Sequence, residues 1–202
     1  MTPRTATISR TTNETNVSVT VNLDGTGGLG GDGAGIDVRT GIGFLDHLLT
    51  ALARHARIDV TLVCTGDLHI DDHHSAEDCA LALGAAIDKA LGERRRFARF
   101  GSAYAPLDEA LARAVVDLSG RPYSVIGLGL KRQTIGGLSC ENIPHVLASL
   151  ATTIRGAIHV DVLRGENDHH RAEAAFKALA LALRAALART DDAGVPSTKG
   201  VL

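Results

Sequence analysis

Tryptophan is absent from this chain of 202 residues, and aromatic residues make up only 3% of it. A densely packed core must therefore be built mainly from Ala, Leu, Val and Ile. With 45% hydrophobic and 22% charged residues, the composition is typical of a soluble globular protein. No uncharged apolar run approaches the roughly 18 residues of a transmembrane helix, so no membrane partner is expected.

The chain carries no strong excess of positive or negative charge, and its cysteines show no paired spacing. Its formal net charge is −2 and it contains no long basic stripe, which argues against a nucleic-acid partner. The chain has an odd number of cysteines, Cys64, Cys79 and Cys140, which is typical of reduced thiols. The segment Met1–Asn16 has no apolar stretch of the kind found in secretory signals. Together these absences predict a cytoplasmic enzyme or binding protein.

A polar run in front of an apolar helical segment is the most informative feature that the chain contains. Residues 71–78 read Asp-Asp-His-His-Ser-Ala-Glu-Asp. Imidazole and carboxylate groups are good ligands for divalent metal ions. Neighbouring residues on a helix point about 100° apart, whereas residues three or four apart share a face, so only one of His73 and His74 can join Glu77 at one ion. The other histidine must face a second ion.

The same pattern recurs at residues 167–173, which read Asn-Asp-His-His-Arg-Ala-Glu and again open a long apolar helix. An earlier histidine, followed by a Leu- and Ala-rich helix, precedes each copy at a similar distance. The duplicated positions give eight candidate metal ligands: His47, His73, His74, Glu77, His145, His169, His170 and Glu173. Divided between two ions, they supply about four ligands each and leave positions open for substrate at a six-coordinate ion. How they divide between the ions stays open.

Hydrophobic periodicity extends the duplication to the whole chain, with a repeat of roughly 95 residues. Both halves read β-β-β-α-β-α, beginning with a hairpin and ending with the helix of the His-His motif. The three strands expected to open the second half are Ser102–Leu107, Ala112–Leu118 and Tyr123–Leu130. We therefore expect an α+β fold, an α/β sandwich, with residues 1–93 and 94–202 as two halves related by a pseudo-twofold axis within one compact domain. Each half should be a small mixed sheet with two helices covering one face.

A second set of residues is basic and scattered. Arg99, Arg121, Lys177 and the C-terminal segment Pro196–Gly200 offer guanidinium, ammonium and hydroxyl groups that suit a phosphate dianion. The alternative is that residues 94–99 form a solvated linker and that the tail is disordered. His55 lies two turns after His47 on the predicted helix, so it faces either the same cavity or solvent.

Four segments resemble the signature segments of the imidazoleglycerol-phosphate dehydratase family: Gly41–His47, Asp71–Asp78, Glu166–Lys177 and Pro196–Gly200. The resemblance runs from Arg4 to Leu202. It implies a hydro-lyase that dehydrates D-erythro-imidazole glycerol phosphate to imidazole acetol phosphate in L-histidine biosynthesis. It also implies two Mn²⁺ ions per subunit, other divalent metals being possible. Ions on both ring nitrogens would stabilise an imidazolate, which expels hydroxide to give a diazafulvene.

The resemblance further implies roles for particular residues and an assembly. The substrate-binding candidates are Glu14, His55, Arg99, Arg121, Lys177, Ser197, Thr198 and Lys199. The catalytic candidates are Glu14, His74, Glu77, His170 and Glu173. Glu14 is either an acid-base residue or an exposed hairpin glutamate. The subunits are implied to form trimers that assemble, with metal, into a cage of about 24 subunits, whose metal sites are completed between subunits. The tail is expected to close over the substrate.

Two other functions stay open on the sequence. A binuclear metallohydrolase acting on a phosphate ester or amide would also use His and Glu around two ions, although such sites usually include several bridging aspartates. A metal-storage or metal-sensing protein would need neither a basic pocket nor turnover. Assays of phosphate release and of metal-dependent dehydration distinguish these functions.

Overall fold

Two copies of one element order make up the chain. The computed structural model describes residues 3–29, 35–192, 194–200 and 202. The first half contains β1 (Thr5–Thr11), β2 (Thr15–Asn22), β3 (Ile36–Arg39), α1 (Gly43–Ala56), β4 (Asp59–Gly66) and α2 (His73–Leu91). The second half contains β5 (Phe100–Leu107), β6 (Ala110–Asp117), β7 (Tyr123–Gly127), β8 (Thr134–Ile135), β9 (Leu138–Ser139), α3 (Asn142–Ile154), β10 (Ala157–Arg164) and α4 (Asp168–Leu187). The predicted β-β-β-α-β-α order is confirmed, with the small β8–β9 pair as an addition in the second half.

The two main sheets share one strand arrangement. Their strand orders are β1-β2-β4-β3 and β5-β6-β10-β7. In each sheet three strands are antiparallel, and the edge strand β3 or β7 runs parallel to its neighbour. Because equivalent strands occupy equivalent places, the duplication inferred from the paired motifs extends to the topology.

The four helices lie between the two sheets. Helix α2 packs on β1 and β2, and α4 packs on β5 and β6, while α2 contacts α3 and α1 contacts α4. The alternating burial of β2 shows which face is covered, since Val17, Val19 and Val21 are buried and the residues between them are exposed. The buried hydrophobic residues of both halves belong to one cluster. Helices from different halves therefore pack against each other at the centre of the molecule.

Glycines permit two close approaches within this core. A Cβ atom on Gly84 of α2 would lie 2.7 Å from the carbonyl oxygen of Leu150 and 2.9 Å from the amide nitrogen of Ile154, both on α3. A Cβ on Gly101 of β5 would lie 2.8 Å from the amide nitrogen of Ala186 on α4. All three distances are below those that real Cβ atoms adopt, so only glycine fits at these positions.

A buried arginine joins the two halves at their junction. Arg94 is 3% exposed, and its Nη1 donates to the carbonyl oxygen of Leu118 at 2.8 Å. Its Nη2 donates to the carbonyl oxygen of Ile154 at 2.6 Å and to Asp88 Oδ1 at 2.5 Å. The alternative of a solvated linker is therefore wrong at Arg94, because its guanidinium satisfies buried backbone carbonyls.

The segment after β7 departs from the expected secondary structure. The alternating pattern predicted a strand from Tyr123 to Leu130, but β7 ends at Gly127. The next carbonyl oxygen, that of Leu128, accepts from Arg171 Nε at 2.9 Å instead of joining the sheet, and Gly129 has a positive φ of 62°.

Within the described part of the chain, no helix combines the length and the apolar character needed to cross a bilayer.

Candidate metal centre and active site

Both His-His motifs lie in the first turn of a helix. The Asp71 side chain accepts from the amide of His73 at 2.8 Å at the start of α2, and the Asn167 side chain accepts from the amide of His169 at 2.9 Å at the start of α4. Such side-chain acceptors satisfy amide groups that have no partner within the helix. The two motifs therefore begin their helices in the same way and present their side chains from equivalent positions.

One group of candidate ligands combines α2 with α3. His73 and Glu77 come from α2, and His145 comes from the first turns of α3. His145 Nε2 lies 2.9 Å from Glu77 Oε1, and the rings of His73 and His145 stack with their centroids 4.9 Å apart. Each residue offers a ligand atom within 4.8 Å of the other two. Two imidazoles and one carboxylate thus converge on one point, and all three are partly exposed.

The second group combines α1 with α4 and repeats this composition. His47 Nε2 lies 2.9 Å from Glu173 Oε2, and His169 Nε2 lies 3.2 Å from the same oxygen. Lys177 Nζ lies 2.7 Å from Glu173 Oε1. Burial acts to raise the pKa of Glu173, but the bonds from Lys177 and His47 outweigh it and lower this pKa to about 2. The carboxylate is therefore ionised at neutral pH, as metal binding requires.

The adjacent histidines diverge, as the helix geometry predicted. The ring centroids of His73 and His74 are 6.0 Å apart with a 77° angle between the rings, and those of His169 and His170 are 6.0 Å apart at 88°. One histidine of each pair joins the glutamate one turn later, which confirms that expectation. In the part of the chain that the structure describes, His74 and His170 belong to neither ligand group.

Carboxylates hold the second histidine of each pair. His74 Nδ1 lies 3.0 Å from Asp67 Oδ2, and His170 Nδ1 lies 2.7 Å from Glu109 Oε2. These bonds are the main cause of the raised pKa of both histidines. The His74 Nε2 lies 3.6 Å from Glu14 Oε1. A carboxylate that accepts from Nδ1 leaves Nε2 as the outward ligand atom, an arrangement common among metal-binding histidines.

Asp67 and Glu109 were not among the residues singled out from the sequence. Glu109 occupies the hairpin turn between β5 and β6, as Glu14 occupies the turn between β1 and β2. Aligning the two halves would have paired these glutamates. Backbone amides of Asn167 and Glu166, together with His170, lower the pKa of Glu109 to about 2. Asp67 follows β4 directly, and nothing in the sequence marked it as a partner of His74. Its contact with His74 depends on where α2 begins.

Comparisons with known proteins show to which family the chain belongs. A family model described as imidazoleglycerol-phosphate dehydratase matches residues 40–183, which include all eight candidate ligands. The protein of that name from Phaffia rhodozyma is 58% identical over 199 residues, covering 98% of this chain and 96% of its own length. The one from Candida glabrata is 57% identical over 207 residues, covering 96% and 98%. The chain belongs to the imidazoleglycerol-phosphate dehydratase family.

Solved structures of the family share the fold. The imidazoleglycerol-phosphate dehydratase of Staphylococcus aureus N315 gives a TM-score of 0.80 at 32% identity, covering 92% of this chain and 99% of that one. The Pyrococcus furiosus enzyme in complex with (S)-C348 gives 0.81 at 36% identity, covering 96% and 100%. Family membership makes the chain a hydro-lyase and decides against the metallohydrolase and metal-storage alternatives. The family and its relatives support imidazoleglycerol-phosphate dehydration in histidine biosynthesis.

Two of the predicted substrate contacts lie beside the second ligand group. Lys177 contacts Glu173, as described above, and His55 interacts electrostatically with both residues. Burial, with a contribution from the Lys177 cation, lowers the pKa of His55. His55 is half-buried near Lys177 and Glu173, and its place at the substrate site stays a prediction.

The other predicted phosphate contacts lie apart from both groups. Arg99 Nε and Nη2 donate to the two oxygens of Asp117 at 2.7 and 3.1 Å, while Nη1 donates to the carbonyl oxygen of Pro196 at 2.7 Å. Arg121 is exposed, as are Thr198 and Lys199 in the tail turn. Among the described residues, no hydrogen bond or ion pair joins Arg99, Arg121 or residues 196–200 to a candidate metal ligand. The structure of one chain thus connects Arg99 to the tail but to neither ligand group.

Proposed function

We propose that the chain converts D-erythro-imidazole glycerol phosphate to imidazole acetol phosphate in L-histidine biosynthesis, using two manganese ions per subunit. The supporting observation is the pair of ligand groups, each with two imidazoles and one carboxylate within 4.8 Å. Mn²⁺ accepts such ligands and prefers six-coordination, so this donor set fits it and leaves positions for substrate. Bound manganese supplies Lewis-acid stabilisation of negative charge on the imidazole ring of the substrate.

The proposal includes assembly, because His74 and His170 face away from the groups in their own chain. Asp67 and Glu109 orient these rings so that Nε2 points outward. We assign both histidines to metal sites completed with a neighbouring subunit. Trimers would then assemble into a cage of about 24 subunits with closed symmetry, and removing metal would reduce its size.

Carboxylates near the ligand groups are the candidates for proton transfer. Glu14 lies 3.6 Å from His74 Nε2 and is half exposed, so substrate held at His74 would lie within its reach. We assign to Glu14 the exchange of a proton with the substrate carbon. Glu77 and Glu173 orient the histidines of their own groups, and Lys177 keeps Glu173 ionised.

We assign the phosphate group to Arg99, Arg121, Lys177, Ser197, Thr198 and Lys199, with His55 at the same site. The bond from Arg99 to the Pro196 carbonyl supports a unit formed by this arginine and the tail. Lys177 contacts Glu173, but Arg99, Arg121 and the tail lie apart from the ligand groups of their own chain, so the complete site would combine residues of different subunits. The three buried free thiols suit the reducing cytoplasm as the location of this reaction.

The decisive experiment measures manganese content and turnover of the chelator-stripped chain. The unmodified chain should bind two equivalents per subunit and dehydrate the substrate only with manganese. His73→Ala and His169→Ala should each lose about one equivalent and at least about 100-fold in turnover, since each removes a direct ligand. His159→Ala is the matched control, because His159 is exposed on β10 and belongs to neither group. Full metal content and turnover in His73→Ala would refute the assignment.

A further inference from the structure

The two ligand groups differ in what holds their first helical histidine. His73 Nδ1 lies 2.9 Å from Asn142 Oδ1, and Asn142 is 4% exposed at the start of α3. His169 instead packs on the ring of Phe44, with the centroids 4.9 Å apart. Phe44 precedes His47 by three residues, as Asn142 precedes His145. The repeat therefore places an amide beside one histidine and an apolar ring at the equivalent place beside the other.

The Asn142 side-chain oxygen faces the His73 ring, and the chain just before His73 is anchored beside it. The Asp72 carboxylate accepts from the amide of Ser139 at 2.6 Å and from Ser139 Oγ at 2.8 Å. Ser139 ends β9 and lies three residues before Asn142, so these bonds hold His73 and Asn142 next to each other.

This orientation fixes the protonation of the His73 ring. Because Asn142 presents an oxygen acceptor, His73 Nδ1 carries the hydrogen, and the lone pair of neutral His73 is on Nε2. In the described chain no side chain accepts from His169 Nδ1, and Phe44 offers no acceptor. The His169 ring is thus held by packing and by its Nε2 contact with Glu173, and no bond to Nδ1 directs its lone pair to Nε2.

We infer that Asn142 is a positioning residue that sets the tautomer and ring orientation of His73. Of the two ligand groups that the structure describes, only the His73–Glu77–His145 group then has its first helical histidine held by such a bond. The inference rests on the proposed metal sites. Residues that hold a metal-binding histidine in this way typically change metal affinity by about 10–100-fold. Replacing Asn142 should therefore weaken one manganese site and leave the other unchanged.

The test titrates chelator-stripped protein with MnCl₂ in a calorimeter, in two backgrounds that isolate the groups. In His169→Ala, the remaining manganese reports on the His73 group, and adding Asn142→Leu should weaken it about 10–100-fold. In His73→Ala, the remaining manganese reports on the His169 group, and adding Asn142→Leu should leave it unchanged. Asn142→Asp in the His169→Ala background keeps an acceptor oxygen and should lose less affinity than the leucine variant.

The outcomes separate positioning from general damage. Unchanged affinity of Asn142→Leu in the His169→Ala background would overturn the inference, and so would an equal loss in both backgrounds, which indicates a disturbed fold. Failure of Asn142→Asp to recover any affinity would also overturn it. If the unmodified chain bound no manganese, the proposed function would fail, and the inference with it. Two equivalents with no response to Asn142→Leu would refute only the inference.

Discussion

Replacing Arg94 by methionine tests whether this buried guanidinium holds the two halves together. The side chain connects the end of α2 with the carbonyl oxygens of Leu118, after β6, and Ile154, at the end of α3. Methionine fills a similar length of the cavity but donates no hydrogen bond. Arg94→Met therefore removes the bonds while keeping most of the packing.

The expected magnitude follows from the groups that lose a donor. The carbonyl oxygens of Leu118 and Ile154 each lose the Arg94 donor in buried surroundings, at a cost of about 1–3 kcal/mol each. The Asp88 side chain is 24% exposed and lies 3.8 Å from Arg155, so water and that arginine compensate it in part. Arg94→Met should therefore lower the free energy of unfolding by about 2–6 kcal/mol.

Urea unfolding of metal-free protein, followed by circular dichroism at one chain concentration, measures this loss. Arg95→Met is the matched control, because the neighbouring side chain is 54% exposed and its ion pair with Glu93 at 3.4 Å is a surface contact. The control should change the free energy of unfolding by less than about 0.5 kcal/mol. A loss below about 1 kcal/mol in Arg94→Met would show that solvent replaces its bonds, and the reasoning would be wrong.

Three further predictions follow from other contacts. Gly101→Ala should lower the stability measured in thermal melts by about 1–3 kcal/mol, because the added Cβ would collide with α4. Gly137→Ala is the control, since a Cβ there has no atom within 4 Å and should not lower stability. Equal melting temperatures of the two variants would contradict this prediction. The hydrogen bond from Arg189 lowers the pKa of Asp24 below its usual 3.8. Ionised Asp24 therefore stabilises the folded chain at pH values above 3.8, and this stabilisation is lost as the pH falls further. The stability gap between the unmodified chain and Asp24→Asn should therefore narrow in acid denaturation curves, and a constant gap would refute this. Deleting residues 196–202 should raise KM and lower kcat at unchanged metal content, and kinetics equal to those of the full-length chain would show that the tail is not part of the site.

The order of elements was predictable because each element has a clear period. Alternating residues marked the strands of the first hairpin, and apolar residues at helical spacing marked α1 and α2. The small strands β8 and β9 have two residues each, too few for any period to be detected. The end of β7 was mispredicted because a contact with Arg171, 43 residues later in the chain, competes with the sheet for the Leu128 carbonyl.

The candidate ligands were predictable from the repeat, but their grouping was not. Spacing within one helix predicted that one histidine of each pair joins the glutamate of its own motif, and it left open which one. Nothing in the sequence showed that His145 joins Glu77 or that His47 joins Glu173, since these pairs are 68 and 126 residues apart. The grouping is set by helix packing, in which α2 contacts α3 and α1 contacts α4. Asn142 was missed for the same reason, because its partner is on another helix.

Helix packing also ties metal binding to the folded core. Each ligand group takes one histidine from the half of the chain that does not supply its glutamate. The groups therefore form only when the helices of both halves are packed together, as Gly84 permits where α2 meets α3. Any ion that binds such a group favours the packed state over the unfolded chain, and the stabilisation grows with the concentration of the ion. Because the halves contribute reciprocally, each ion would connect the first half to the second, and the two ions would do so at two separate helix interfaces.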